Sequence, residues 1–130
     1  MAYQLKAPSS EPAIRVVMMP RDTNGQGTIF GGVILSLIDQ AAYVEAIRQK
    51  HARYVTVAFR EVEFHEPVFV GEVLSLYANA TRAGRTSLTI RVRVCTWRQP
   101  DTTQMVNVTE AEVVFVAVDA EGKPASLFDR

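Results

Sequence analysis

The 130-residue sequence is poor in the residues that usually announce a chemistry. Cys95 is its one cysteine, so no disulfide can form within the chain, and an intracellular location is expected. The two histidines, His51 and His65, lie far from Cys95 and from each other, which leaves no metal-ligand spacing. Net charge is zero, from 14 basic and 14 acidic residues, whereas a general nucleic-acid binder carries a strong positive balance. No apolar run reaches the roughly 18 residues needed to cross a bilayer. The opening MAYQLKAPSSEPA lacks the apolar core of a signal peptide. These absences together describe a cytoplasmic protein with no nucleic-acid partner, no membrane span and no bound metal. There is also no G-x-S-x-G elbow for a serine hydrolase, and Gly25, Gly27, Gly31 and Gly32 spell no dinucleotide or P-loop fingerprint.

What is present is ordinary in bulk and unusual in one place. A hydrophobic fraction of 48% and a charged fraction of 22% suit one soluble globular domain with a real core. Residues 1–13, with Pro8, Ser9, Ser10 and Pro12, read as a loose leader to that domain. The unusual stretch is DTNGQGTIFGGVILSLIDQAAY, residues 22–43, a polar glycine-rich loop that becomes a strongly apolar helix. At about 100° per residue, Gly32, Ser36, Asp39 and Tyr43 fall on one narrow stripe, and apolar side chains cover the other sides. A helix apolar nearly all round is normally buried, and a carboxylate in it is costly unless paired. Asp39 is therefore either an internal hydrogen-bonding anchor or a group held beside a substrate. The glycine pair at the helix start tips this toward function, because unpaired N–H groups and a positive dipole end suit an oxygen gaining negative charge.

Around this helix the pattern is that of strands. Ile14 to Met19 is a short strand closed by Pro20. Tyr54 to Phe64 changes phase at Arg60-Glu61, which predicts a bulge. Val73 to Arg82 and Thr86 to Trp97 flank the turn Ala83-Gly84-Arg85, and the second alternates cleanly through Leu88, Ile90, Val92 and Val94. Gln99-Pro100-Asp101-Thr102 breaks the pattern before a last strand, Met105 to Val118. Short connections predict an antiparallel meander. The fold class is α+β, a curved sheet of about five strands wrapped around one long helix.

Six segments in order carry a resemblance: Pro20-Arg21-Asp22-Thr23-Asn24, Ile29-Phe30-Gly31-Gly32, Leu37-Ile38-Asp39-Gln40-Ala41, Phe64-His65-Glu66-Pro67-Val68, Gly84-Arg85-Thr86-Ser87 and Val108-Thr109-Glu110-Ala111. The chain resembles the hotdog-fold acyl-CoA thioesterases, in the bacterial acyl-CoA hydrolase group related to the brain-type enzymes, over about residues 14–124. The resemblance implies hydrolysis of acyl-CoA to free coenzyme A and a carboxylic acid, with no cofactor beyond the coenzyme A of the substrate. It implies Asp39 as general base or nucleophile, and Asn24 completing the site from a neighbouring protomer. It also implies that the Gly32 N–H polarises the thioester carbonyl, with Gly31 shaping the turn. The Gly84 to Ser87 segment, with Thr86 and Ser87, would lie near coenzyme A. A homo-oligomer follows, a dimer at least and a hexamer as a trimer of dimers. The segment after Asp39 departs from many relatives, and Tyr43 and Glu45 are expected to narrow the acyl tunnel.

The residues fit that chemistry. A thioester needs a water made nucleophilic and a carbonyl made electrophilic, and its thiolate leaves readily without a metal. Asp39 can also attack directly and form a mixed anhydride. Arg82 and Arg85 bracket Gly84 and are candidate phosphate ligands, with Arg60 a second choice. Arg91 and Arg93 read as a solvated strand face, and His65 as structural. Two alternatives differ in class: a non-catalytic acyl-CoA-binding module of the same fold, and a hotdog dehydratase. A dehydratase calls for a histidine with a carboxylate, and no histidine lies in or near the helix.

Overall fold

The protein was studied as a computed structural model that describes residues 3–98 and 101–127. In chain order its elements are β1 (Ile14–Val17), a 3-10 turn (Pro20–Asp22), α1 (Gly31–Gln49), β2 (Arg53–Phe64), β3 (Val73–Ala83), β4 (Ser87–Arg98) and β5 (Asp101–Val118). Among the described residues, no helix is both long and apolar enough to cross a membrane. The break expected at Gln99 and Pro100 lies outside the described residues, and Asp101 already belongs to β5.

All strand pairs are antiparallel, and the sheet order is β1-β3-β4-β5-β2. The inward phase of β4 forms the centre of the core: Leu88, Ile90, Val92 and Val94 are each 0% exposed. Each such side chain stabilises the fold by roughly 1.5–3 kcal/mol relative to leaving it in water. The slip at Arg60-Glu61 is a bulge, with Glu61 at φ 52° and the β2–β5 register shifting between Arg60 and Glu63. In β2 it is Tyr54 and Ala58 that turn inward, while Val55, Val57 and Phe59 face outward and are exposed.

Three expectations need correction. First, the strands are not a simple meander: only β3, β4 and β5 follow one another, and β2 pairs with β5 at the far edge. Residues 65–72 are not a turn but a crossing. They bond successively to Val108, Ile29 and Met18, with Val68 buried at 1% exposure in the middle. A short connection with one buried anchor can span the sheet as readily as reverse it.

Second, α1 lies against the curved sheet as expected, but it is not buried all round. Ile34, Ile38, Ala41, Ala42 and Ala46 are buried against the strands, whereas Gly32, Ser36, Gln40, Tyr43 and Val44 are exposed. A five-strand sheet covers one side of a helix about 10 Å across and leaves the other open.

Third, the leader is not loose from Tyr3 onward. The Tyr3 hydroxyl donates to the Gln49 carbonyl, the Lys6 N–H to Gln49 Oε1 at 2.8 Å, and the Ser9 N–H to Asn79 Oδ1 at 3.0 Å. Side-chain acceptors on the helix end and on β3 take up the backbone donors of a segment whose composition alone suggested disorder.

Candidate active site

The loop before α1 is a small closed hairpin. Thr23 bridges Ile29, and the Asn24 side chain spans the gap between them. Its Oδ1 accepts N–H groups from Gln26 at 2.8 Å and Thr28 at 3.2 Å, and its Nδ2 donates to Thr28 Oγ1 at 2.8 Å. Gly27 takes φ 87°, which a side chain would resist. Asn24 therefore shapes this loop in the single chain, whatever else it meets.

The helix then opens without a side-chain cap, since Phe30 is its N-cap residue. The first-turn N–H groups of Gly31 and Gly32 have no i−4 carbonyl to reach. The two glycines serve different purposes. A Cβ on Gly31 would come within 3.3 Å of the Phe64 ring, which would have to shift by a few tenths of an ångström. A Cβ on Gly32 would meet nothing within 4 Å. The space in front of Gly32 is open.

Asp39 lies two turns on, half-exposed. Its Oδ1 accepts a 2.7 Å hydrogen bond from Thr56 Oγ1 on β2. Thr56 was not legible as a site residue, and the one signal is that it shares the inward phase of β2 with Tyr54 and Ala58. A cavity of about 590 Å³ opens beside Asp39, lined also by Thr56, Tyr54, Phe115, Tyr43 and Val44. Burial pushes the Tyr54 phenol up to about 12, so its hydroxyl stays neutral and donates to the Lys50 carbonyl at 2.7 Å. A second cavity, about 350 Å³, sits at the helix start between Thr28, Gly31, Phe64 and Pro67, and His65 and Glu66 line it too, so the fold brings a histidine near the helix, contrary to expectation.

These cavities are separate. Gly32 and Asp39 are seven residues apart on one helix, about 10 Å along its axis. One thioester carbonyl cannot meet both within one chain, although both lie on the same uncovered stripe. Arg60, Arg82 and Arg85 are exposed, and none of them, nor Gly84, Thr86 or Ser87, lines either cavity. A Cβ on Gly84 would stand 2.6 Å from Ser87 Oγ, so a side chain there would need the Ser87 hydroxyl to rotate away. Arg91 is tied to Glu61 at 2.8 Å and Glu110 at 3.3 Å, and the Arg93 guanidinium lies 5.2 Å from the centre of the Tyr77 ring. His65 stands 3.4 Å from Glu110. Glu45, expected near the acyl tunnel, is buried on the opposite side and bound to Arg48. Tyr43 does line the cavity beside Asp39.

Comparison with known proteins decides the family. The family model described as the thioesterase superfamily matches residues 26–102, more than half of the chain. The chain belongs to the thioesterase superfamily. An uncharacterised acyl-CoA thioester hydrolase of Zymomonas mobilis is 43% identical over 122 residues, 93% of this chain and 80% of that one. A hexameric hotdog-fold thioesterase of Campylobacter jejuni superposes with a TM-score of 0.84 at 39% identity, covering 92% of this thioesterase chain and 91% of that one. The helix and five-strand sheet are the hotdog fold. An acyl-CoA hydrolase of Staphylococcus aureus, solved with butyryl coenzyme A and coenzyme A, gives a TM-score of 0.81 at 29% identity and covers 87% of this chain and 68% of that one. It has also been solved as an Asn-to-Ala variant and as an Asp-to-Ala variant. Those two positions are 15 residues apart, the separation of Asn24 and Asp39 here.

Proposed function

We propose that the protein hydrolyses acyl-CoA thioesters at a site assembled from two copies of the chain. Asp39 comes from one copy, and the Gly31-Gly32 helix start with the Asn24 loop comes from the other. The observation that carries this reading is the pairing of a 10 Å axial separation, set by about 1.5 Å per residue, with a shared uncovered stripe. An antiparallel helix from a second copy, laid along that stripe, brings each Asp39 toward the other copy's glycines. The exposed edge strand β2 offers unpaired backbone groups for the same association. The dimer is the catalytic unit, and three such dimers make the hexamer that structural neighbours of this fold form.

In this site Thr56 fixes one oxygen of Asp39, and the other takes the proton of a water as it attacks the carbonyl carbon. The Gly32 N–H donates to the carbonyl oxygen as charge develops there, a contribution of roughly 3 kcal/mol per donor. The C–S bond then breaks, and coenzyme A leaves as its thiolate. Direct attack by Asp39, giving a mixed anhydride that water cleaves, uses the same groups. Arg82 and Arg85, exposed at the β3–β4 turn, are free to meet the phosphates of coenzyme A.

The test mixes two inactive proteins, Asn24→Ala and Asp39→Ala. After complete subunit exchange half the dimers are mixed, each with one intact site, so about a quarter of wild-type activity returns. No recovery, with exchange demonstrated by native mass spectrometry, would place each site within one chain.

A further inference from the structure

Three aromatic rings line the cavity beside Asp39. Tyr43 follows Asp39 by one turn, about 6 Å along the helix. It is 44% exposed, an unfavourable place for a large ring that meets nothing. It is nevertheless held firmly. Its ring stands edge-on to Tyr54, centroids 6.5 Å apart at 87°, and to Phe115, 6.3 Å apart at 76°. Tyr54 and Phe115 are buried and lie 6.0 Å from each other. Such edge-to-face separations suit the ring quadrupoles, and the Tyr54 hydroxyl is pinned to the Lys50 carbonyl.

Val44, the next helix residue, lines this cavity and also a smaller space of about 160 Å³ whose walls are mixed, with Pro12, Ala13 and Ala78 beside Glu11 and the Glu45–Arg48 pair. Along the helix the Tyr43 ring comes between Asp39 and that space. The lining near Asp39 carries no lysine, arginine or histidine.

We propose that Tyr43, backed by Tyr54 and Phe115, is the far wall of the acyl subsite and restricts substrates to short, uncharged acyl groups. This rests on Asp39 being the carboxylate that meets the thioester. With the carbonyl carbon held at Asp39, a chain directed along the helix reaches the Tyr43 ring within a single turn. The three rings are fixed by one another within one chain, so the wall does not depend on assembly. A second carboxylate at the far end of the acyl group, as in a succinyl thioester, would sit against the rings with no cation in the described lining of this cavity to pair with.

The test measures kcat/KM of the full chain on acetyl-, butyryl-, octanoyl-, palmitoyl- and succinyl-CoA, with Asp39→Ala as the control for the site. In the wild type we expect at least a tenfold fall from butyryl to palmitoyl, and a comparable fall from butyryl to succinyl. Tyr43→Ala should lengthen the cavity past the position of the ring and reverse the order of butyryl and octanoyl. Tyr43→Phe, which keeps the ring, should keep the wild-type butyryl-to-palmitoyl ratio. Adding Val44→Trp to Tyr43→Ala should cancel the gain on octanoyl-CoA. Palmitoyl- or succinyl-CoA turned over by the wild type as fast as butyryl-CoA would overturn the wall without any variant. So would a Tyr43→Ala profile equal to wild type. Absence of turnover on every acyl-CoA, by contrast, would sink the hydrolase reading itself.

Discussion

Asp39 and Glu45 are both carboxylates on α1, less than two turns apart, and their surroundings are opposite. Glu45 is 2% exposed, and both its oxygens are occupied. Oε1 accepts Arg48 Nε at 2.7 Å, and Oε2 accepts Arg48 Nη2 at 3.0 Å, Gln49 Nε2 at 2.9 Å and the Ala80 N–H at 3.1 Å. Burial pushes its carboxyl up, but the hydrogen bonds from Arg48, Gln49 and Ala80 outweigh burial and hold it below the ordinary value. Asp39 has one partner, Thr56, and among the described residues its Oδ2 has no donor. The first carboxylate has nothing left to give a substrate. The second keeps an oxygen in reserve and faces an open cavity, which is the arrangement a base or nucleophile needs.

Replacing each in turn is the most direct way to break this comparison. Asp39→Ala should lower kcat about 1000-fold, within the range for loss of a positioned general base, while the thermal midpoint stays near wild type. Glu45→Ala should do the reverse. Specific activity of the folded fraction persists, and stability falls by about 3 kcal/mol as Arg48 and the Ala80 N–H lose their partner. A Glu45 variant that keeps its melting midpoint but loses kcat would make the buried carboxylate part of the chemistry and end the distinction.

Acid sharpens the same contrast. The Glu45 carboxyl is lowered in the native state, so its contribution is complete above the unfolded value of 4.5 and is lost as pH falls through the native value. Urea melts of wild type and Glu45→Gln should therefore differ by about 2 kcal/mol near neutrality. The gap should hold down to about pH 5 and close below 4.5. A gap that widens in acid would mean the carboxyl is bound in its protonated form.

The same contrast explains what could be read from the sequence. Strands were legible where one face meets the core, as in Leu88-Ile90-Val92-Val94, because a period of two shows directly in the residues. The bulge was legible as a change of phase at Arg60-Glu61. Strand order was not, because residues 65–72 have the length of a loop whether they reverse the chain or cross the sheet. Asp39 stood out as a charge on an apolar helix, whereas Glu45, on the same helix, was expected only to narrow the acyl tunnel. What separates them is Arg48, Gln49 and Ala80 on one side and Thr56 on the other, and Ala80 and Thr56 are brought there by the fold. The position of Gly32 relative to Asp39 was fixed by helix geometry. The resemblance already implied a neighbouring protomer, and the uncovered stripe supports the proposal that a second copy closes the distance.

The smallest expected effect concerns Thr56, which is argued to act through Asp39 and so is a positioning residue. Its hydroxyl donates to Oδ1 at 2.7 Å and leaves Oδ2 without a donor among the described residues. Without it the carboxylate can turn about its own side-chain torsions and present either oxygen, so the fraction in working geometry falls. Thr56→Val keeps the shape and removes the donor. A hydrogen bond to a charged group contributes roughly 1.5–3 kcal/mol, and part of that is regained from water because the pair is not deeply buried. We expect kcat to fall about tenfold with KM for butyryl-CoA nearly unchanged, since each 1.4 kcal/mol of lost transition-state stabilisation is a factor of ten. Thr56→Ser retains the hydroxyl and should recover most of kcat, which a purely packing role for the threonine methyl would not allow. Equal kcat for the Val variant and wild type would leave Asp39 oriented by some other contact, and equal loss for Val and Ser would make Thr56 a packing residue of β2.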